Sequence, residues 1–360
     1  MINVVKSYLP SKEKYCEYLE KIYSSAWLTN NGQCVQLLTQ KLEAYLGVKN
    51  LLLVANATIG LQIAYKALGL QNEVITSPFS FVATTSSLVW EGLTPKFTDI
   101  QPCTFCIDEN QIESAITSKT SAILPVHVYG NVCGVEKIAN IAQQYKLKII
   151  YDAAHAFGVK YCGQSVLNYG DISVLSFHAT KLFHTVEGGA LIIKDDAVFK
   201  RASDMINFGF DRLGSGKIEG LGINAKMSEF HAAMGLCVLE DMGCILAERQ
   251  KIDRYYREHL PSFLVQLSIH KNAIANYAYF PVIFETEMQL LQAVADLKVQ
   301  GIIPRRYFYP SLNTLSYVDY VKMPVSEDLS KRVLCLPIYP GLTELDLEKI
   351  SGTIRRGLGL

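Results

Sequence analysis

Three short stretches of the chain hold residue types that can do chemistry. The first is Ser176-Phe177-His178-Ala179-Thr180-Lys181, which closes an apolar run and precedes Glu187-Gly188-Gly189 and a second apolar run. A lysine just past a strand end lies on a turn at the carboxyl edge of a sheet, where the sites of α/β folds assemble. The second is Leu147-Lys148-Ile149-Ile150-Tyr151, which ends in Asp152-Ala153-Ala154-His155. An acid at the end of a buried strand is costly without a cationic partner. In the third, Leu51-Leu52-Leu53-Val54-Ala55 runs into Asn56-Ala57-Thr58 and a helix-like stretch from Ile59 to Leu68. Strand, small polar turn and helix start offer free amides and the positive end of a helix dipole to an anion.

Each stretch also has a plainer reading. Lys181 fits a solvated loop, Asp152 fits a cap on the next helix, and Asn and Thr are ordinary caps as well. Taken together they supply a phosphate cradle, a carboxylate able to keep a pyridinium nitrogen protonated, and an amine for a Schiff base. Those are the groups that pyridoxal 5'-phosphate chemistry requires.

Such residues need a scaffold to bring them together. From about residue 50 to 195, short β-branched runs alternate with amphipathic segments, the pattern of a mostly parallel sheet with crossover helices. Strands are expected at Asn50–Val54, Glu73–Thr76, Pro95–Asp99, Ala122–Val128, Leu147–Asp152, Ile172–Phe177 and Gly189–Lys194, with helices such as Ile59–Leu68 and Val135–Tyr145 between several of them. Residues 197 to 260 read as helical, with Lys226–Leu239 and a long stretch from Leu246 to His259. The N-terminal part reads as a helix over Ser11–Ser24, then a turn-rich loop from Trp27 to Gly32 that opens another helix. The expected architecture is α/β, with a large domain over residues 1–244 and a smaller α+β domain over 245–360.

Bulk properties narrow the function classes. At 360 residues the chain exceeds what one core usually holds. Lysine plus arginine equals aspartate plus glutamate at 34 each, and no basic stripe is interleaved with aromatics, so a nucleic-acid partner is not expected. Met1 to Tyr8 lacks a basic and apolar leader, and no stretch nears the ~20 apolar residues that cross a bilayer, so a cytoplasmic protein is expected. Nine cysteines, an odd number, are scattered from Cys16 to Cys335 and read as reduced structural thiols. Cys103 and Cys106 have C-x-x-C spacing without a second pair or nearby His, so no metal site is expected. The chain has no GxxxxGK[ST], no G-x-G-x-x-G after a strand and no H-E-x-x-H.

Over nearly its full length the chain resembles the sugar aminotransferases of the DegT/DnrJ/EryC1/StrS type, within the fold-type I pyridoxal-phosphate enzymes. The resemblance runs through Trp27-Leu28-Thr29, Glu73-Val74-Ile75, Pro78 to Phe81 and Val126-His127-Val128-Tyr129-Gly130. It continues through Asp152 to His155, Ser176 to Lys181, Glu187-Gly188-Gly189, Gly222 to Glu229 and Arg305-Arg306-Tyr307. It implies a large domain with a mostly parallel seven-stranded sheet and a smaller C-terminal α+β domain. Position by position, it implies that Lys181 holds the cofactor through a Schiff base and shuttles protons. Asp152 would pair with the ring nitrogen, His155 would lie near the phenolic oxygen, and Phe81 would stack on the ring, with a core phenylalanine as its alternative. Ala57, Thr58 and Ser176 match phosphate-binding positions, and Asn224 matches a residue that reaches the phosphate from the neighbouring subunit. A homodimer with shared active sites follows from that last match.

The chain departs from the family pattern at three places. Ala57 stands where the family usually has Gly, which puts the detail of the phosphate turn in doubt. Val186 replaces the usual Gly before Glu187, and His184 is an unusual polar residue in that loop, readable as a surface histidine or as a substrate contact. Relatives with His in place of the lysine are dehydratases, and Lys181 argues against that chemistry. The segments Tyr151 to Gly158 and Ser176 to Lys181 look most like the branch that aminates C4 of dTDP-4-dehydro-6-deoxyglucose with L-glutamate as donor, for surface polysaccharide such as O-antigen. Nothing in charge or spacing separates C4 from C3 amination, or a dTDP from a UDP handle. Arg212, Lys217 and Arg305 are candidate contacts for sugar or diphosphate. A pyridoxal-phosphate lyase, decarboxylase or dehydratase, or a relative that lost its chemistry, are the other classes. Intact Lys181 and Asp152 count against the last.

Overall fold

Short leucine-, isoleucine- and valine-rich runs form a seven-stranded sheet from β1 (Leu51–Val54), β2 (Glu73–Thr76), β3 (Thr94–Phe97), β4 (Thr120–Leu124), β5 (Lys148–Asp152), β6 (Ile172–Ser176) and β7 (Gly189–Ile193). The computed structural model describes residues 1–211, 215–265 and 267–360. The strand order is β1-β7-β6-β5-β4-β2-β3, with β7 antiparallel to both of its neighbours and the other pairs parallel. Side chains alternate between two faces, as strand geometry requires. Leu51, Leu53, Ile75, Ile123, Tyr151 and Leu175 pack on one face against the helices Gln33–Leu46, Val135–Tyr145 and Glu229–Glu240. Leu52, Val54, Val74, Leu124, Ile150 and Val174 pack on the other, against Ala57–Ala67, Val82–Trp90 and Asp196–Met205.

The seven strands lie where the periodicity expects them, with shifts that have physical causes. β4 ends at Leu124 rather than Val128 because Pro125 has no N–H for a ladder. The chain beyond it curls into a short 3₁₀ turn, Val128–Gly130. Helix is expected across 197–260, but the described residues 206–211 and 215–228 are irregular. There Gly209 lies so close to the Gly220 backbone that a Cβ would meet its carbonyl oxygen at 1.9 Å. The next helix starts at Glu229 rather than Lys226, because the Ser228 hydroxyl caps it.

Beyond the sheet, the Met242–His259 helix begins in the core with Met242 and Ile245 and ends in a second cluster with Ile252 and Tyr256. That cluster is built on the antiparallel strands Phe280–Ile283 and Val333–Leu336 and the helices Glu287–Val299 and Glu344–Gly357. The N-terminal Ile2–Asn3 joins this part of the molecule by pairing parallel with Ile302–Ile303. Among the described residues no single helix is long and apolar enough to cross a membrane. All nine cysteines are free; Cys103 is exposed and Cys106 is buried.

A buried carboxylate ties the two parts together. Asp99, past the end of β3, accepts from the Val325 amide at 2.8 Å and the Ser326 amide at 2.9 Å. It also accepts from the Ser326 hydroxyl at 2.7 Å and from its own neighbour Ile100 N–H at 2.8 Å. It therefore caps the Pro324–Arg332 helix from across the chain. Replacing Asp99 by Ala would leave these donors without an acceptor, and should lower unfolding stability by about 3 kcal/mol. Denaturant titration of the wild-type and Asp99→Ala proteins checks this, and a change below about 0.5 kcal/mol would show that water replaces the cap at no cost.

Candidate active site

The sheet topology brings the three stretches to one place. β1, β5 and β6 all end at the same edge, and β7, running the other way, begins there, so Gly189 pairs with both Val54 and Ser176. A Cβ on Gly189 would meet the Ala57 nitrogen at 2.8 Å and the Leu175 oxygen at 2.9 Å, so this close approach requires glycine. The cavity at this edge is lined by Ala57, Thr58, Phe81, Asp152, His155, Ser176 and Lys181, together with Tyr279, Arg305 and Phe308.

At one wall, Ala57 opens its helix and Asn56 caps it, the Asn56 side chain accepting from the Ile59 amide at 2.9 Å. The Ala57 and Thr58 amides have no partner within the helix, as at any helix start. Ala57 is helical and not left-handed, so the turn does not need the glycine usual there. Asp152 is buried, and both groups that hydrogen-bond it are uncharged: the Thr84 hydroxyl at 2.7 Å and the Ala154 amide at 3.2 Å. The Ser80 hydroxyl in turn lies 2.7 Å from that of Thr84. Burial pushes the Asp152 carboxyl above its ordinary range, while the Thr84 and Ala154 hydrogen bonds and the Lys181 charge act the other way. This carboxylate fits a protonated ring nitrogen as its missing counter-charge.

Lys181 donates to the Tyr279 hydroxyl at 3.2 Å. Burial pushes its amine down to about 8, against the opposing pull of Asp152. His155 accepts the Tyr129 amide on Nδ1 at 3.2 Å, which leaves Nε2 to carry the proton. Burial, with Lys181 adding to it, holds this imidazole well below its ordinary value, so it is neutral. The Phe81 ring is half-exposed at the cavity rather than in the core. Arg305 is exposed at the cavity with its guanidinium 4.7 Å from the Tyr307 ring centre. Lys217 is exposed away from the cavity, and Arg212 lies outside the described residues.

Two expectations need correction or addition. His184 is neither a surface histidine nor a substrate contact: it is 1% exposed and does not line the cavity. Asn224 is exposed on the irregular stretch and does not line the cavity of its own chain. The residues not foreseen are Thr84, Ser80 and Tyr279. Thr84 and Ser80 lie in a Ser/Thr-rich apolar stretch whose only signal is the hydroxyls themselves. Tyr279 is held in place by two anchors on the segment before it. Asn276 donates to the His155 and Phe157 carbonyls at 2.8 and 2.9 Å, and buried Arg249 donates to the Tyr277 and Ala278 carbonyls at 3.1 Å each. In sequence that tyrosine sits in an aromatic run, Tyr277-Ala278-Tyr279-Phe280, with nothing to mark it as facing a site.

A seven-stranded sheet of this order, with an amine, a buried acid and a helix start at one edge, defines a fold-type I pyridoxal-phosphate enzyme. The family model described as the DegT/DnrJ/EryC1/StrS aminotransferase family matches residues 10–355, and the chain belongs to that family. It is 44% identical to the dTDP-4-amino-4,6-dideoxy-D-glucose transaminase of Shigella dysenteriae, over 98% of each chain. The structure of DesI in the presence of its TDP-sugar product superposes with a TM-score of 0.91 at 33% identity, covering 98% of this chain and 92% of that one. NtdA from Bacillus subtilis, solved with bound cofactor PMP, superposes with a TM-score of 0.88 at 26% identity, covering 97% of this chain and 82% of that one. The cofactor is pyridoxal 5'-phosphate.

The electrostatics of Lys181 give a measurable consequence. Below its midpoint the amine is protonated and has no lone pair to offer. In the cofactor-free protein, capture of pyridoxal phosphate, followed as growth of its absorbance band, should therefore rise with pH through a midpoint near 8, not the ordinary lysine value of 10.5. Asp152→Asn removes the charge that favours the ammonium and should move that midpoint lower. A midpoint near the ordinary value in the wild type would contradict the buried setting of this amine.

Proposed function

We propose that this aminotransferase moves an amino group from L-glutamate to C4 of dTDP-4-dehydro-6-deoxy-D-glucose, giving dTDP-4-amino-4,6-dideoxy-D-glucose. The observation that carries the chemistry is the convergence of Lys181, Asp152 and the Ala57–Thr58 helix start on one cavity. The 44% identity to the Shigella dysenteriae enzyme of that name supports the substrate. Bound here, the cofactor supplies an electron sink and carries the amino group between two half-reactions.

The chain's own residues take the remaining roles. Asp152, lacking a charged hydrogen-bond partner, holds the ring-nitrogen proton. The Ala57 and Thr58 amides and the Ser176 hydroxyl hold the phosphate, where the helix dipole also favours an anion. Phe81 covers the ring face, and His155, neutral with its proton on Nε2, donates to the phenolic oxygen. Lys181, with its lowered amine, removes and returns the proton at the reacting carbon. Asn224 completes the phosphate site of a second copy. Trp27, Leu28, Phe208 and Ile223, on segments beside Asn224 or joined to its segment, are exposed apolar residues that a homodimer interface would cover. The product fits a role in surface polysaccharide such as O-antigen, made in the cytoplasm from water-soluble reactants.

The test is the absorbance spectrum of purified protein beside Lys181→Ala. The wild type should show a band near ~410 nm that glutamate bleaches and the keto sugar restores, with parallel double-reciprocal lines in steady state. Lys181→Ala should lose the band and at least about 10³-fold in kcat. If glutamate bleaches the band and this sugar fails to restore it, the substrate is wrong and the aminotransferase assignment stands.

A further inference from the structure

The loop between β6 and β7 carries Lys181 on its first leg and Glu187 and Gly188 on its second, and all three line the cavity. Its return bend is made by Val186, whose φ of 68° puts a β-branched residue in the left-handed region. Such a conformation is a genuine outlier and persists only where its surroundings enforce it. Two groups here do so. The Thr185 hydroxyl donates to the Glu187 carbonyl at 2.7 Å, and the Val186 amide donates to His184 Nδ1 at 3.3 Å.

That second bond fixes the histidine as well. With Nδ1 accepting, Nε2 carries the proton and donates to the Tyr8 carbonyl at 2.7 Å. The ring is buried and both nitrogens are used. Its support is itself anchored, since the Tyr8 hydroxyl donates to Asp241 at 3.0 Å and Lys14 pairs with the same carboxylate at 2.9 Å. The histidine thus spans from a fastened N-terminal segment to the bend, with no contact to the cavity.

We propose that His184 is a positioning residue: its Nδ1 holds the bend at Val186, with the Nε2 bond to Tyr8 only orienting the ring, and it thereby sets where Lys181 and Gly188 meet the cofactor. The inference rests on the cofactor site described above. It makes the histidine's value depend on the strain at the next residue but one, which a packing role would not. His184→Leu keeps an apolar side chain of similar bulk and loses both bonds. His184→Asn keeps an acceptor toward the Val186 amide. Val186→Gly removes the strain that the histidine restrains.

In holoenzyme, His184→Leu should weaken pyridoxal phosphate retention, measured by equilibrium dialysis, and lower kcat, each about tenfold, with KM for the keto sugar within twofold. His184→Asn should recover most of both. In the Val186→Gly background, His184→Leu should cost less than twofold. Hydrogen exchange of the 185–188 amides in cofactor-free protein reads the hold on the loop without the cofactor: protection should fall in His184→Leu and return in His184→Asn. Equal losses for His184→Leu in both backgrounds would overturn the proposal in favour of packing. So would unchanged exchange in soluble His184→Leu protein. If His184→Leu fails to fold, loss of retention in His184→Asn equal to that of His184→Gln, which cannot present an acceptor at the Nδ1 position, overturns it equally.

Discussion

The carboxylate of Asp152 sits at the end of a central strand, buried, with an uncharged hydroxyl and an uncharged amide as its hydrogen-bond partners. Removing an ion from water costs several kcal/mol unless a counter-charge is supplied, and the protein's contribution is the more distant Lys181. The fold therefore holds a buried acid that a cationic group entering the cavity would balance. The rest of the cavity serves this arrangement. Thr84 is locked onto the acid by Ser80, and the amine opposite is lowered enough that a usable fraction is neutral near physiological pH. Burial tunes the amine in the direction its role requires, whereas for the acid it opposes ionisation, and the Thr84 and Ala154 hydrogen bonds and the Lys181 charge act against it.

Sheet topology turns that acid into part of a site. In a fully parallel sheet β7 would deliver its carboxyl end to this edge. Because it runs antiparallel, its first residue arrives there instead, between the ends of β1 and β6. That residue must be glycine, since a side chain would occupy the approach to the Ala57 amide. The helix start at Ala57, the hydroxyl of Ser176 and the lysine loop are thus held in register by backbone pairing rather than by side-chain contacts. A shift of one residue in either pair would move them apart.

What could be read from the chain beforehand follows the same division. The strands announced themselves because buried sheet needs continuous apolar runs, and Lys181, Asp152 and Ala57–Thr58 stood out because each ends or follows such a run. Phe81 and His155 gained their meaning from family resemblance, not from spacing. Thr84 and Tyr279 carried no readable signal, since a hydroxyl in an apolar helix and an aromatic before a strand have the same appearance whether or not a site lies beneath them. Helix is expected after Met205, but the apolar residues there, Phe208, Phe210 and Ile223, do not turn toward a core. They are exposed in the single chain.

His184 shows why local chemistry misled most where it was most unusual. A polar ring in a loop beside Lys181 suggests solvent or substrate, because an unpaired buried imidazole is costly. The structure removes that cost by giving each nitrogen a backbone partner, one on the neighbouring bend and one on a segment far away in sequence. Val186 takes the place of a residue free to bend, so the loop needs an external hold that a glycine would not require. The two departures from the family pattern are therefore one feature. A valine that resists the left-handed bend and a histidine that enforces it occupy positions that sequence alone presents as unrelated.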